Sequence, residues 1–83
     1  MNAFKFIVED LSHLGGPMGT EYTTVIDTEI ALSWEGAVKL FEKGLREFRG
    51  RGAPAKMDRP PVLGKFYDFG GVGFVIKKTT LHE

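Results

Sequence analysis

The stretch SWEGAVKLFEKGLREF, from Ser33 to Phe48, carries the clearest structural signal of the chain. Its large apolar side chains recur with the period of an α-helix that has one apolar face. Ser33 is a favourable N-cap, and Gly50 is a natural stop at the other end. The apolar face consists of Trp34, Ala37, Val38, Phe41, Leu45 and Phe48. The stretch therefore predicts an amphipathic helix that packs against another layer.

Two glycines interrupt this helix, and each should cost about 1 kcal/mol relative to alanine. Gly44 flanks the apolar face, so a close approach between the helix and a sheet would explain its presence. Gly36 points away from that face, and the sequence offers no reason for it.

Alternating and β-branched residues predict two strands before the helix. Residues 4–9 alternate so that Phe4, Phe6 and Val8 point inward. Residues 22–28 predict a second strand whose inward side chains are Tyr22, Thr24 and Ile26. The glycine-rich segment between these strands predicts a loop.

Residues 62–69 and 72–80 flank the pair Gly70-Gly71, which predicts a β-hairpin with a two-residue turn. This register pairs Phe69 with Val72, Tyr67 with Phe74 and Lys65 with Ile76. The side chains expected on its inner face are Leu63, Tyr67, Phe69, Val72, Phe74 and Ile76.

The predicted order is β-β-α-β-β, which indicates a single α+β domain over residues 1–83 with one helix on an antiparallel sheet. One helix covers only one face of such a sheet. The opposite face would present four apolar side chains in a polar frame: Ile7, Val25, Phe66 and Val75. We expect this face to bind a protein, with a homodimer as one form of that contact. The alternative is that these are scattered surface hydrophobes, which are common.

The net charge of zero conceals a division of charge along the chain. Residues 1–42 hold seven acidic and two basic side chains, whereas residues 43–80 hold nine basic and three acidic ones. Five of the bases flank or occupy a glycine- and proline-rich loop over residues 50–61: Arg46, Arg49, Arg51, Lys56 and Arg59. Guanidinium groups match phosphate and carboxylate oxygens, so this loop predicts binding of nucleic acid or of an acidic partner. Pairing with the acidic half of the same chain, or simple solvation, is equally compatible with the pattern.

Residues for catalysis are sparse. The chain has no cysteine, and its two histidines, His13 and His82, have no partner at a useful spacing. Gly15 to Gly19 lacks the lysine of a phosphate-binding loop. We therefore predict no enzymatic activity, no metal site and no cofactor. No apolar run reaches the roughly 20 residues of a membrane span, and no signal peptide is evident. These features predict a cytoplasmic protein, of a bacterium or of an infected host cell, with no membrane partner.

Three functional hypotheses remain. The first is a small protein-binding module, such as a phage- or mobile-element-type inhibitor or adaptor of a larger host machine, for example an anti-defence protein. The second is a nucleic-acid-binding module that uses the arginine-rich loop. The third is a structural subunit of a larger assembly.

Overall fold

Strand β1 (Asn2–Asp10) lies inside the sheet, because it pairs with β2 (Thr24–Ala31) on one side and with β4 (Val72–Thr80) on the other. A short strand, β3 (Tyr67–Asp68), pairs with the free side of β4 and completes the antiparallel order β2-β1-β4-β3. The computed structural model describes residues 2–11 and 24–81. It confirms the α+β fold class, with one helix packed on a four-stranded sheet.

Helix α1 spans Trp34–Glu47 and begins as predicted. The Ser33 hydroxyl oxygen accepts a hydrogen bond of 3.0 Å from the Gly36 N–H. The helix ends at Glu47, before the predicted stop at Gly50, because the chain tightens into a 3-10 turn over Arg49–Arg51. No helix in the described ranges combines the length and the hydropathy that crossing a membrane would need.

The core lies between α1 and the inward face of the sheet. The inward positions predicted for β1 and α1 are confirmed, since Phe6, Val8, Ala37, Phe41 and Leu45 are all buried. Strand β4 adds Val72, Phe74 and Ile76, as the predicted hairpin register required. Phe4 and Trp34 are partly buried at one end of this core, with their ring centroids 5.6 Å apart.

Both helical glycines stand where the chain is crowded. A Cβ atom at Gly44 would lie 2.9 Å from the ring of Phe6 and 3.1 Å from that of Phe74. The predicted close approach of the helix to the sheet is thereby confirmed. At Gly36 a Cβ atom would lie 3.2 Å from the Ser33 hydroxyl and 3.3 Å from the Ala31 Cβ, a tightness that the sequence did not indicate.

We expect Gly44→Ala to lower the free energy of unfolding by about 1 kcal/mol or more. Alanine would gain about 1 kcal/mol in helix propensity, but its methyl group would press on the buried ring of Phe6. That ring is held between Phe41 and Phe74, so it has little room to move. Urea denaturation followed by circular dichroism measures the change. A stabilised variant would show that the helix and the sheet are farther apart than described.

The predicted strand over residues 62–69 is largely wrong, because only Tyr67–Asp68 form regular pairs. Tyr67 does pair with Phe74, as predicted. The predicted pair of Lys65 with Ile76 is replaced by a 2.7 Å hydrogen bond from the Gly64 N–H to the Ile76 carbonyl. Gly64 has a positive φ of 80°, which bends the chain out of strand geometry. Leu63 is consequently exposed and does not point into the core.

Strand β2 corrects a second prediction. The register shifts at Val8 and Glu9, which pair with Asp27 and Val25, so Ile26 is the extra residue of a β-bulge. A bulge interrupts the alternation of side chains between the two faces of a strand. Ile26 and Thr24, which the alternation predicts to point inward, are both exposed. Tyr22, the glycine-rich loop and both histidines lie outside the described residues.

Candidate functional site

We use the name outer face for the sheet surface opposite α1. The four side chains predicted to form a protein interface there occupy it unequally. Val25 and Phe66 are 55% and 42% exposed, and Ile7 is half-buried. Val75 is only 5% exposed, which contradicts the prediction that it offers contact surface. It lies between Ile7 and the segment over residues 62–66, which runs beside β4 through the hydrogen bond between Gly64 and Ile76.

The tip of the Phe66 ring reaches over the sheet at Gly73. A Cβ atom at Gly73 would collide with the Phe66 ring, so the ring covers the place where a side chain would otherwise stand. Strand glycines often mark such a close approach. Phe66 therefore contributes one exposed ring surface to the outer face.

The basic residues form a different site on the helix side of the molecule. The end of α1 and the segment over residues 55–61 enclose a cleft of about 390 Å³. Four of the five predicted basic residues line it and define what we call the cationic cleft: Arg46, Arg49, Lys56 and Arg59. The structure thus brings the bases at the end of α1, Arg46 and Arg49, together with Lys56 and Arg59 of the predicted loop.

The walls of the cationic cleft combine apolar and acidic groups with these bases. Its acidic residues are Glu42 and Asp58, and its apolar lining consists of Val38, Phe41, Leu45, Ala55, Met57, Pro60 and Pro61. No sequence pattern marks Met57 and the two prolines as part of a site. Their hydrophobicity is evident in the sequence, but they form an apolar wall only because the loop folds onto α1.

The loop is anchored onto the helix at its start. The Ala53 N–H donates to the Phe48 carbonyl at 3.3 Å, and Ala53 is buried in the core. Met57 packs against the same core, and Pro61 is buried. After the loop, the Val62 N–H donates to the Tyr67 hydroxyl at 2.9 Å. These contacts hold Lys56 and Arg59 opposite the helix end.

Arg51, the fifth predicted binding residue, is turned away from the cationic cleft. Its Nη2 atom donates to the Asp10 carboxylate at 2.6 Å, and its carbonyl accepts from the Gly71 N–H at 3.1 Å. Arg51 therefore joins the loop to the sheet. For this residue the structure supports the alternative that bases of the second half pair with acids of the first.

The four bases of the cationic cleft have no such partner in the described ranges, 2–11 and 24–81. None of them forms an ion pair with another described residue. The Nζ atom of the nearby Lys43, by contrast, lies 3.5 Å from Glu29 Oε1 and 3.6 Å from Glu47 Oε1. Four bases against the two acids Glu42 and Asp58 leave the cleft positive. Such a site attracts and orients an anionic group.

A second groove, of about 570 Å³, adjoins the cationic cleft and shares the residues from Lys56 to Pro60 with it. It adds Lys65, whose ammonium group is 5.1 Å from the centre of the Tyr67 ring. Lys56 and Arg59 thus border both grooves.

Within the described residues, no group of three histidine, aspartate or glutamate side chains is placed to hold a metal ion. Comparison with known proteins yields no match: no family model, no curated protein and no solved structure matches this chain. What can be inferred about function therefore depends on the geometry of its own residues.

Proposed function

We propose that this protein is a non-enzymatic protein-binding module whose cationic cleft holds an acidic segment of a partner protein. The observation that carries the proposal is the convergence of Arg46, Arg49, Lys56 and Arg59 on one cleft without an ion-pair partner among the described residues. Keeping like charges together is unfavourable unless an opposite charge joins them.

The composition of the lining favours a peptide over a nucleic acid. Proteins that bind single strands present exposed aromatic rings on which bases stack. The one aromatic among the described lining residues is Phe41, and it is fully buried. Glu42 and Asp58 would also repel a continuous row of phosphates, whereas a peptide chain can place an N–H group or a basic side chain beside them.

The apolar part of the lining suits a side chain between the acidic ones. Val38 and Met57 are half-buried and Pro60 is exposed, so these three side chains offer a surface for an aliphatic group between the bases. The preferred ligand is therefore a segment in which carboxylates flank an aliphatic residue. The inhibitor or adaptor role, and the alternative of a structural subunit, stay predictions.

We expect Arg49→Ala to weaken binding of an acidic peptide by about fivefold, since one exposed charge pair contributes up to about 1 kcal/mol. The probe is a fluorescein-labelled peptide that alternates glutamate with leucine, and its affinity is measured by fluorescence anisotropy. Added salt should weaken the binding, because the bases of the cleft are exposed to solvent.

Lys39→Ala is the matched control, since Lys39 is an exposed base of the same helix outside the cleft. It should leave the affinity unchanged, and a peptide with glutamine in place of glutamate should not bind. Preferential binding of a thymidine oligonucleotide or a DNA duplex, lost in Arg49→Ala, would replace this proposal by the nucleic-acid alternative. Failure of all these probes to bind would overturn the role of the cleft.

A further inference from the structure

The outer face carries its charges in an ordered pattern. Residues directly opposite one another in an antiparallel pair share a face, so the strand register defines rows across the sheet. The row of Ala3 and Thr79 lies at one end of the outer face, and Ala3 is buried. The next three rows are Lys77, Lys5 and Ile30; then Val75, Ile7 and Thr28; then Asp68, Gly73, Glu9 and Val25. One end of this face is therefore basic and the other end is acidic. The middle row carries no charge: Val75 is buried, Ile7 is half-buried and Thr28 is exposed.

The basic end contains an unfavourable pair. Lys5 and Lys77 are directly opposite each other on neighbouring strands, where like charges destabilise a sheet. Neither lysine forms an ion pair with another residue of the described ranges. An acidic group from a second molecule would relieve this repulsion.

We propose that the outer face binds a second copy of this chain, face to face, in a two-fold symmetric homodimer. A two-fold axis along the middle row reverses the direction of the partner's strands and leaves each strand above its own counterpart. The row of Lys5 then faces the row that contains the partner's Glu9. The same operation brings Glu9 opposite the partner's Lys5, so each favourable charge contact occurs twice.

The remaining positions are complementary under the same symmetry. Ile30 faces the partner's Val25, and both are exposed apolar residues in the single chain. Lys77 faces the partner's Gly73, over which the partner's Phe66 ring lies, and a cation near an aromatic ring is favourable. Sheets that pack in this way stand about 10 Å apart, which leaves room for these side chains.

The homodimer does not depend on the cationic cleft, which lies on the helix side of the sheet. The two surfaces are therefore available at once. A dimer would carry two cationic clefts and would bind a partner with two acidic segments more tightly than one cleft alone.

A charge exchange between two variants tests the proposal. Lys5→Glu and Glu9→Lys should each weaken the homodimer by at least about tenfold, because each puts like charges together at two places in the interface. An equimolar mixture of the two variants should form a heterodimer. In that heterodimer the carboxylate introduced at position 5 of one chain would face the ammonium group introduced at position 9 of the other. Sedimentation equilibrium over a range of concentrations measures all three association constants.

Lys39→Glu is the control, because it reverses an exposed charge on the helix side and should leave the homodimer intact. Thermal unfolding of each variant shows that the chains tested are folded. A wild-type protein that stays monomeric overturns the proposal. So does a mixture of folded variants that associates no better than either variant alone.

Discussion

Phe41→Ala should lower the free energy of unfolding by about 3–5 kcal/mol, because it removes the ring at the centre of the core. Phe41 is fully buried, and its ring centroid lies 5.2 Å from that of Phe74 and 5.3 Å from that of Tyr67. The rings of Phe6 and Phe69 are within 6.5 Å. The stability of such domains is roughly 5–15 kcal/mol, and a small domain should lie near the lower end. The variant should therefore be partly unfolded, or only marginally stable, at ambient temperature.

Phe66→Ala provides the matched control for this loss. The residue type is the same, but Phe66 is 42% exposed and covers only the outer face. Its removal should cost about 1 kcal/mol, as for a partly exposed contact. Urea denaturation followed by circular dichroism compares the two variants. An equal loss in the free energy of unfolding for both variants would mean that Phe41 does not lie at the centre of the core.

Gly52→Ala should lower the free energy of unfolding by at least about 2 kcal/mol, through two effects that add. Gly52 has a φ of 105°, in the left-handed region that a side chain disfavours. A Cβ atom there would also collide with the backbone carbonyl oxygen of Phe69, which cannot move aside as a flexible side chain could. Because Gly52 precedes Lys56 and Arg59 in the same loop, the substitution should also weaken binding in the cationic cleft.

Two other glycines separate the two effects. Gly64 has a positive φ of 80° but open space around it, so Gly64→Ala should show only the conformational cost of about 1 kcal/mol. Gly50 has open space and no positive φ, so Gly50→Ala should cause no loss. Thermal or urea unfolding of the three variants should rank them in this order. A Gly52→Ala protein as stable as Gly50→Ala would contradict the close contact between the loop and the β3–β4 turn.

Local sequence signals proved reliable where local physics dominates. The period of the apolar residues from Trp34 onward and the cap at Ser33 predicted the helix, because both are properties of a few adjacent turns. The alternation of Phe4, Phe6 and Val8 predicted the inward face of β1 for the same reason.

The errors occur where distant segments meet. The sequence indicated a long strand before Gly70, but Gly64 bends the chain and leaves two paired residues. It also indicated that Val75 would be exposed, although the segment over residues 62–66 and Ile7 flank it in the folded chain. Alternation identifies which residues share a face, but it does not show what covers that face.

The candidate site shows the same division. Composition alone identified the five bases and their opposite charge to the first half of the chain. Only the folded chain separates Arg51, which binds Asp10, from the four bases of the cationic cleft. An ion pair between residues 41 positions apart depends on where β1 and the loop end in space, and no local pattern encodes that.

The fold class, the helix with its buried face, the hairpin register near Gly70 and the division of charge could all be predicted, because each follows from the period or composition of neighbouring residues. Which bases converge, which apolar residues stay exposed and which charges share the outer face become visible only in the folded chain. Those properties arise from contacts between segments far apart in the chain, whose geometry is set by packing of the whole core.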